Sequence, residues 1–204
     1  MSIVIIDYGM GNLRSVQKKI QKIGISVETT NDLTKITNAQ KLVLPGVGHF
    51  ANGVKRLKET GIWDVLINKV LVQKTPILGI CLGMQLMTKH SEEGNVEGFG
   101  WFDAKVVKFK IINKLKHKIP HTGWNSIIIE KENPLIKAIP NNAMFYFVHS
   151  FHIECFNKKD ILTTSEYEYK FTSSIQKDNI YGVQFHPEKS HDMGEIVFEN
   201  FINL

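Results

Sequence analysis

The chain has few cysteines and no long apolar run, and both shortages exclude whole classes of protein. Cys81 and Cys155 are the only cysteines among 204 residues, so no disulfide framework can form and a reducing, cytoplasmic compartment is expected. No apolar run approaches the roughly 20 residues that a membrane-spanning helix needs. Residues 1–7 lack a basic leader and a small-residue cleavage site. They predict a first strand and not a signal peptide.

Arginine is almost absent, although the chain is basic. The formal net charge is +5, yet the only arginines are Arg14 and Arg56. Arginine is the residue best suited to bidentate recognition of phosphates and bases, so we expect no nucleic-acid partner. The densest lysine segment, residues 105–118, predicts a solvated strand and turn in preference to a docking surface.

The chain also lacks internal repeats and any linker rich in proline, glycine or serine, so we expect one domain spanning residues 1–204. Strands and helices alternate in the first part, and strands dominate beyond about residue 99. This order predicts an α/β fold, a three-layer sandwich whose mixed sheet is parallel at its centre and covered by helices on both faces. An active site should lie at the carboxyl edge of the parallel strands. The predicted strands are 3–7, 27–29, 41–44, 77–80, 101–110, 126–130, 144–149, 161–164, 171–176 and 180–184, and the predicted helices are 13–23, 50–59, 63–74 and 194–204.

Cys81 stands in a pattern typical of a nucleophile elbow. The apolar run Ile77–Ile80 leads to it, Gly79 and Gly83 flank it, and helix-compatible residues follow. Small flanking residues permit the sharp strand-to-helix turn that presents a nucleophile, and a helix N-terminus favours thiolate over thiol. A lone cysteine at the end of a core strand is more often a buried hydrophobe. The two glycines and a candidate base elsewhere favour the nucleophile.

The candidate base is His186, where a run of alternating β-prone residues ends. Pro187 and Glu188 follow it directly. A thiol nucleophile needs a proton acceptor within reach, and that acceptor needs a third group to hold its tautomer. Because proline fixes the backbone between the imidazole and the carboxylate, one rigid turn can aim both groups. An isolated His-x-Glu is usually solvated surface, but here an elbow lacks only these two groups. The sequence therefore predicts a triad of Cys81, His186 and Glu188.

Two motifs suggest a metal or cofactor site, and the surrounding residues argue against both. Zinc deaminases follow His-x-Glu with Pro-Cys-x-x-Cys, and no cysteine follows Cys155. His186 and His191 do not have the His-Glu-x-x-His spacing either. Residues 46–51 fit the dinucleotide fingerprint Gly-x-Gly-x-x-Ala, but a proline precedes them at the turn, and the nearest suitable acid, Asp64, falls in a helical stretch. We expect no metal and no cofactor.

Several motifs together resemble the class I glutamine amidotransferases. Cys-Leu-Gly-Met-Gln at residues 81–85 follows an apolar strand, and Phe-His-Pro-Glu stands at residues 185–188. Further motifs match in order along nearly the whole chain, and they are most similar to the glutaminase subunits of imidazole glycerol phosphate synthases. These motifs are Asp-Tyr-Gly-Met-Gly-Asn-Leu at 7–13, Leu-Pro-Gly-Val-Gly at 44–48, Pro-His-Thr-Gly-Trp-Asn at 120–125 and Tyr-Phe-Val-His-Ser at 146–150.

The resemblance implies a flavodoxin-like fold and hydrolysis of glutamine by the triad through a γ-glutamyl thioester. It places two oxyanion donors at the backbone N–H groups of Val47 and Leu82, with Gly46 and Gly48 allowing the loop to turn. It also sets Gln85 against the glutamine head group. The released ammonia would pass through a shielded channel to a separate (βα)₈-barrel cyclase subunit in a heterodimer. The docking positions that the motifs imply are Trp124, Asn125, Tyr146 and Lys189.

Two departures from the family pattern leave the acceptor of the ammonia open. Thr122 stands where the commonest family version has methionine, and residues 100–104 are unlike the usual branch. Both departures resemble paralogous subunits that supply ammonia for amidination of bacterial surface sugars. A stand-alone cysteine hydrolase of the same fold and a non-catalytic binding subunit are further alternatives. The complete triad disfavours the last.

Overall fold

Residues 2–204, the part of the chain that the computed structural model describes, form fourteen strands and six α-helices. The first half contains β1 (Ile3–Ile6), α1 (Leu13–Lys22), β2 (Glu28–Thr30), α2 (Leu33–Asn38), β3 (Lys41–Gly46), α3 (Phe50–Glu59), α4 (Ile62–Ile67), β4 (Ile77–Cys81) and α5 (Leu82–Gln85). The second half contains β5 (Thr88–Ser91), β6 (Val96–Glu97), β7 (Phe102–Lys108), β8 (His121–Ser126), β9 (Ile128–Ile129), β10 (Met144–His149), β11 (Phe151–Cys155), β12 (Ile161–Tyr167), β13 (Tyr169–Lys177), β14 (Ile180–Val183) and α6 (His191–Ile202).

Twelve of these strands form one mixed sheet. Its order is β2-β1-β3-β4-β14-β13-β11-β7-β5-β6, and β12 and β9 extend it from β13. The five strands from β2 to β14 are parallel, whereas β13, β11 and β7 pair antiparallel. The other two strands, β8 and β10, form a separate antiparallel ribbon. The predicted mixed sheet with a parallel core is confirmed.

Helices cover both faces of this sheet, as the sequence predicts. Successive residues of β1 alternate between two cores: Ile3 and Ile5 belong to one, and Val4 and Ile6 to the other. A strand buried on both sides reads as a continuous apolar run without polar alternation. The first core contains the apolar faces of α1 and α6, and the second contains those of α2, α3 and α4. The three-layer arrangement is therefore confirmed.

Several element boundaries differ from the predicted ones. The helix predicted over 63–74 is α4 followed by one π-helical segment, Asn68–Val72. The strand predicted over 126–130 is divided between the end of β8 and the two residues of β9. The sequence did not predict α2, which buries only Ile36, or β5, β6, β8 and β11. None of the helices within residues 2–204 is long and apolar enough to cross a bilayer.

The parallel strands bring three distant segments to one edge of the sheet. Gly46 at the end of β3 pairs with Cys81 at the end of β4, and Val183 at the end of β14 pairs with Ile80. The segments that follow these strands therefore meet at the carboxyl edge, where open α/β sheets place their ligands.

Candidate active site

Cys81 joins β4 to α5 in a conformation that few residues other than glycine adopt. Its φ is 54° and its ψ is −109°, and such backbone strain costs on the order of 1–3 kcal/mol. The two flanking glycines let α5 approach the sheet closely. A Cβ on Gly83 would collide with the carbonyl oxygen of Leu44, and one on Gly79 would lie 2.7 Å from the Met84 nitrogen. The predicted sharp turn from strand to helix at Cys81 is confirmed, although α5 is only four residues long.

His186 and Glu188 approach the elbow from the segment after β14. The His186 Nδ1 atom lies 2.8 Å from Glu188 Oε1, and both side chains are 1% exposed. This excludes the solvated surface pair that an isolated His-x-Glu would suggest. The bond to Glu188 occupies Nδ1 and leaves Nε2 for proton exchange with the sulfur. Nε2 has no hydrogen-bond partner within residues 2–204, and such bonds are often long in unliganded enzymes.

The protonation of His186 depends on its two neighbours. Burial lowers the pKa of the imidazole, but the neighbouring Cys81 sulfur and the hydrogen bond and charge of Glu188 outweigh burial and raise that pKa to about 10. An imidazole with a raised pKa beside a thiol favours an imidazolium–thiolate pair. The arrangement can therefore hold a charged sulfur nucleophile and a proton donor side by side.

A cavity of about 210 Å³ opens beside the sulfur. Cys81 is only 7% exposed, so its sulfur is reached through this cavity. Val47, Leu82 and Gln85 line the cavity with it. A larger cleft of about 900 Å³ lies across β11, β12 and β13, and the triad residues are not among its walls.

The loop after β3 forms one wall of the cavity. A Cβ on Gly46 would collide with the Tyr8 hydroxyl and lie 2.8 Å from the Leu82 Cβ, so no larger residue fits there. Gly48 has a φ of +124°, a conformation that only glycine adopts without strain. Leu82 is the first residue of α5, where a backbone N–H lacks a partner within the helix. Val47 and Leu82 as oxyanion donors remain a prediction.

Gln85 is buried and not an amide on a helix surface. It is 4% exposed, and its Nε2 donates to the Phe151 carbonyl at 3.1 Å and to Gln184 Oε1 at 2.9 Å. Both amide hydrogens are therefore used within the protein. The oxygen of Gln85 is the atom left to face a ligand in the cavity.

Two residues of the site carried no sequence signal. Gln184 is fully buried, and its Nε2 lies 3.5 Å from the Cys81 sulfur. Glu93 lines the cavity and accepts a hydrogen bond of 2.7 Å from the backbone nitrogen of Phe50. Gln184 belongs to the run that leads to His186, but its role depends on β14 lying beside β4. Glu93 lies in the loop between β5 and β6, neither of which was predicted.

Three of the four proposed docking residues share one face of the ribbon of β8 and β10. Tyr146 is paired with Trp124 across the ribbon, and Lys189 Nζ lies 5.4 Å from the Tyr146 ring centre. Trp124 is 44% exposed. Asn125 differs, because alternation along β8 turns its side chain to the other face. There its amide donates to the Glu166 carbonyl at 2.9 Å.

The second cysteine lies outside this site. Cys155 is half-buried, and burial together with the nearby Asp160 raises the pKa of its thiol to about 11. It is therefore a poor nucleophile at neutral pH. Within residues 2–204, no group of three or more His, Cys, Asp and Glu side chains is arranged as metal ligands.

Comparison with known proteins assigns the family. The model of the class I glutamine amidotransferase family matches residues 4–204. The chain is 55% identical over 200 residues to "Imidazole glycerol phosphate synthase subunit HisH 2" of Methanococcus maripaludis, covering 98% of both chains. It is 44% identical to "Imidazole glycerol phosphate synthase subunit HisH 1" of the same organism, covering 99% of both. A solved glutamine amidotransferase has the same fold, with a TM-score of 0.75, 15% identity and coverage of 98% and 99%.

The family match runs from the second residue of β1 through α6, including the turn at Cys81 and the His-Pro-Glu turn. The chain belongs to the class I glutamine amidotransferase family.

Proposed function

We propose that this chain is the glutaminase subunit of an imidazole glycerol phosphate synthase. In this role it hydrolyses glutamine to glutamate and ammonia and supplies the ammonia to a (βα)₈-barrel cyclase subunit in histidine biosynthesis. The observation that carries the proposal is the pairing of the buried His186 with Glu188 and its interaction with Cys81, which lines a small cavity. The 55% identity over nearly the full length to a protein of that name supports it.

The proposed reaction begins with attack of the Cys81 thiolate on the carbonyl carbon of the glutamine side chain. The His186 imidazolium gives its proton to the departing nitrogen, and ammonia leaves as the carbon–nitrogen bond breaks. A γ-glutamyl thioester and a neutral imidazole remain. His186 then takes a proton from water, hydroxide attacks the thioester, and glutamate leaves as the carbon–sulfur bond breaks. The thiolate is regenerated beside the imidazolium.

In this proposal the backbone N–H groups of Val47 and Leu82 bind the oxyanion formed in both attacks. Both residues line the cavity next to the sulfur. Loss of one such donor typically costs about 3–4 kcal/mol of transition-state stabilisation. Gly46 and Gly48 allow the loop to turn the Val47 N–H inward when substrate binds.

Glu93 and Gln85 are the groups proposed to orient the free amino acid. Glu93 places a carboxylate on the cavity wall, which is complementary to the α-ammonium group of glutamine. The oxygen of Gln85 can accept a further hydrogen bond from the same end of the substrate. Two fixed polar groups in a small cavity suffice to position a ligand of this size.

The partner is proposed to dock on the exposed face of the ribbon formed by β8 and β10. This face runs from Trp124 and Tyr146 to Val148, which lines the cavity. The ribbon is also hydrogen-bonded to the triad, because the Tyr146 carbonyl accepts the backbone N–H of His186 at 2.8 Å. The Tyr146 N–H donates to Ser190 Oγ at 3.0 Å, and that hydroxyl donates to the His186 carbonyl at 2.6 Å. A partner that contacts and displaces Tyr146 would therefore change the position of His186, the proposed base.

The test is glutamate release by the purified chain, alone and with its co-expressed synthase partner. We expect slow release alone and strong stimulation in the complex. Trp124→Ala should weaken stimulation by about ten-fold or more, as expected for an aromatic anchor. Phe156→Ala removes a comparably exposed aromatic outside the ribbon and should not. Full activity of the isolated chain would contradict the proposal and favour a stand-alone hydrolase.

A surface sugar is the second candidate acceptor, because of one departure from the family pattern. Thr122, which departs from the usual family residue, is exposed on the same face of β8 as Trp124. Rescue of a histidine auxotroph separates the two acceptors. Growth supports the histidine pathway, and failure despite good expression favours amidination of a surface sugar.

We also propose a cytoplasmic location. Both cysteines are free, and the proposed mechanism requires Cys81 to remain reduced. A reducing compartment keeps such a thiol available.

A further inference from the structure

We propose that Gln184 is a further catalytic residue, whose side-chain amide donates a hydrogen bond to the Cys81 sulfur and stabilises the thiolate. The proposal deepens the function given above and rests on Cys81 being its nucleophile. It assigns to the buried amide a task that neither His186 nor Glu188 can perform, because the imidazole must give up its proton during the reaction.

The contact itself is direct. Gln184 Nε2 lies 3.5 Å from Cys81 Sγ, within the usual range for a hydrogen bond to the larger sulfur atom. Gln184 is 0% exposed, so water does not compete for its amide. Its backbone is fixed as well, because its N–H donates to the Ser173 carbonyl at 2.9 Å.

The neighbouring bonds determine which end of the amide faces the sulfur. The Phe151 carbonyl can only accept, so the group of Gln85 that lies 3.1 Å from it is the nitrogen. The same nitrogen lies 2.9 Å from the Gln184 side chain, where its second hydrogen requires an acceptor. Gln184 must therefore present its oxygen to Gln85 and its nitrogen to Cys81. Gln85 acts on the sulfur only through Gln184, so it is also a positioning residue.

The contact fits the charge changes of the proposed reaction. The sulfur is negative before attack, neutral in the thioester and negative again when it leaves as glutamate is released. A sulfur that is 7% exposed has lost most of its hydration, so a fixed N–H donor replaces water as its partner. The neutral amide keeps its hydrogens throughout the reaction. It can therefore stabilise the thiolate both before attack on glutamine and after hydrolysis of the thioester.

The test is alkylation of Cys81 by iodoacetamide between roughly pH 6 and pH 10, followed by mass spectrometry of the Cys81 peptide. Gln184→Glu keeps the size of the side chain and an acceptor for Gln85, but it presents an oxygen to the sulfur. We expect alkylation at pH 7 to fall at least about ten-fold and its half-maximal pH to rise. Gln184→Met removes the donor to the sulfur and the acceptor for Gln85 without adding a negative charge, and it should show the same change to a smaller extent.

Gln176→Met is the matched control, because Gln176 lies on β13 and its side-chain oxygen accepts from Lys131. Its alkylation profile should equal that of the wild type. Gln85→Met leaves Gln184 in place but removes the bond that orients it, and it should also slow alkylation. Wild-type profiles in Gln184→Glu, Gln184→Met and Gln85→Met, each shown to be folded by thermal unfolding, would overturn the proposal.

Alkylation of Cys81 needs no glutamine, so it tests the Gln184 contact independently of the proposed glutaminase function. A wild-type chain that releases no glutamate but shows the expected alkylation differences would overturn the proposed function and support the Gln184 contact. In an active complex, Gln184→Met should lower kcat and leave KM nearly unchanged, because the amide contacts the nucleophile and not the substrate pocket wall.

Discussion

The Cys81 side chain is held in place by groups that are far apart in the sequence. Its backbone has a positive φ, its sulfur meets the Gln184 amide, and its charge raises the pKa of His186. Cys155 has none of these surroundings, and burial raises the pKa of its thiol. We therefore expect the two cysteines of one chain to differ in reactivity because their neighbours differ.

Glu188→Gln tests the proposed role of the carboxylate at this scale. Glutamine retains an oxygen for His186 Nδ1 but removes the negative charge that helps to raise the pKa of the imidazole. The imidazolium form, which the wild type keeps until pH rises toward about 10, should then be lost at lower pH. We expect kcat for glutamate release to fall by about 10² or more, with the alkaline limb of the pH profile moved downward.

The matched control for this prediction is Glu195→Gln, which breaks the ion pairs with Lys19 and Lys22 far from the cavity. Its kcat should equal that of the wild type. An unchanged pH profile in Glu188→Gln would remove Glu188 from the mechanism.

The residues that sequence reasoning identified carry local signals, and the residues it missed do not. Two glycines around Cys81 and a proline after His186 indicate backbone geometry within five residues. Gln184 and Glu93 look like any other polar residues in the sequence, because their contacts form only when separate strands and loops meet. Long-range neighbours of this kind cannot be read from spacing.

At the scale of elements, the decisive feature is the close approach of α5 to β3 and β4. The predicted boundaries of α3 and β10 agree with the structure because both have clear apolar periodicity. The strand β8 was missed because its residues, His-Thr-Gly-Trp-Asn-Ser, are mostly polar or small. It pairs with β10 in a ribbon outside the main sheet, so it does not require a continuous apolar run.

Gly83→Ala tests this close approach. The new methyl group would collide with the Leu44 carbonyl, so α5 must move away from β3 and the elbow must open. We expect the free energy of unfolding to fall by about 1–3 kcal/mol, with loss of Cys81 alkylation at neutral pH. Both are measured on the purified chain, by denaturant unfolding and by mass spectrometry.

Gly53→Ala is the comparison, since its methyl group would meet only the flexible ends of the Leu86 and Leu82 side chains, at 3.3 to 3.4 Å. That change lies within α3, where alanine favours the helix. Equal stability of both variants would mean that the elbow tolerates a side chain at Gly83.

At the scale of the whole molecule, a cluster of buried histidines links the ribbon to the sheet. His121, His149 and His152 surround the Phe109 ring, and His121 Nδ1 lies 3.1 Å from His149 Nε2. Burial lowers the pKa of all three, that of His121 to about 4. The folded chain therefore keeps these rings neutral at pH values where the unfolded chain protonates them.

This difference predicts a loss of stability in acid. The unfolded chain binds protons at His121 as the pH falls below 6.5, whereas the folded chain does so only near pH 4, so the free energy of unfolding falls across that window. His121→Phe removes one such site and keeps the ring stacking on Phe147. Between pH 7 and pH 4.5 the free energy of unfolding should fall less in the variant than in the wild type. The difference should be on the order of 1 kcal/mol, which corresponds to about 2–4 °C in Tm.

His90→Phe provides the control, because His90 hydrogen-bonds Asn95 outside the cluster. Thermal unfolding of the three proteins at both pH values is the measurement. If the wild type and His121→Phe lose stability in parallel, the buried cluster is not the source of acid sensitivity.

The overall architecture was predictable because the parallel strands are buried on both faces and read as apolar runs. The order of the strands and the placement of the ribbon were not, because pairing partners can lie more than a hundred residues apart, as Ile77 and Ile180 illustrate. Asn125, which the motif implies as a docking position, shows the same limit. The direction of its side chain depends on β8 pairing with β10.

The most direct test of the central claim is glutamate release by Cys81→Ala and Cys155→Ala, each co-expressed with the synthase partner and compared with the wild type. We predict no release above background for Cys81→Ala and a rate within about two-fold of the wild type for Cys155→Ala. Glutamate release by Cys81→Ala at the wild-type rate would contradict the account.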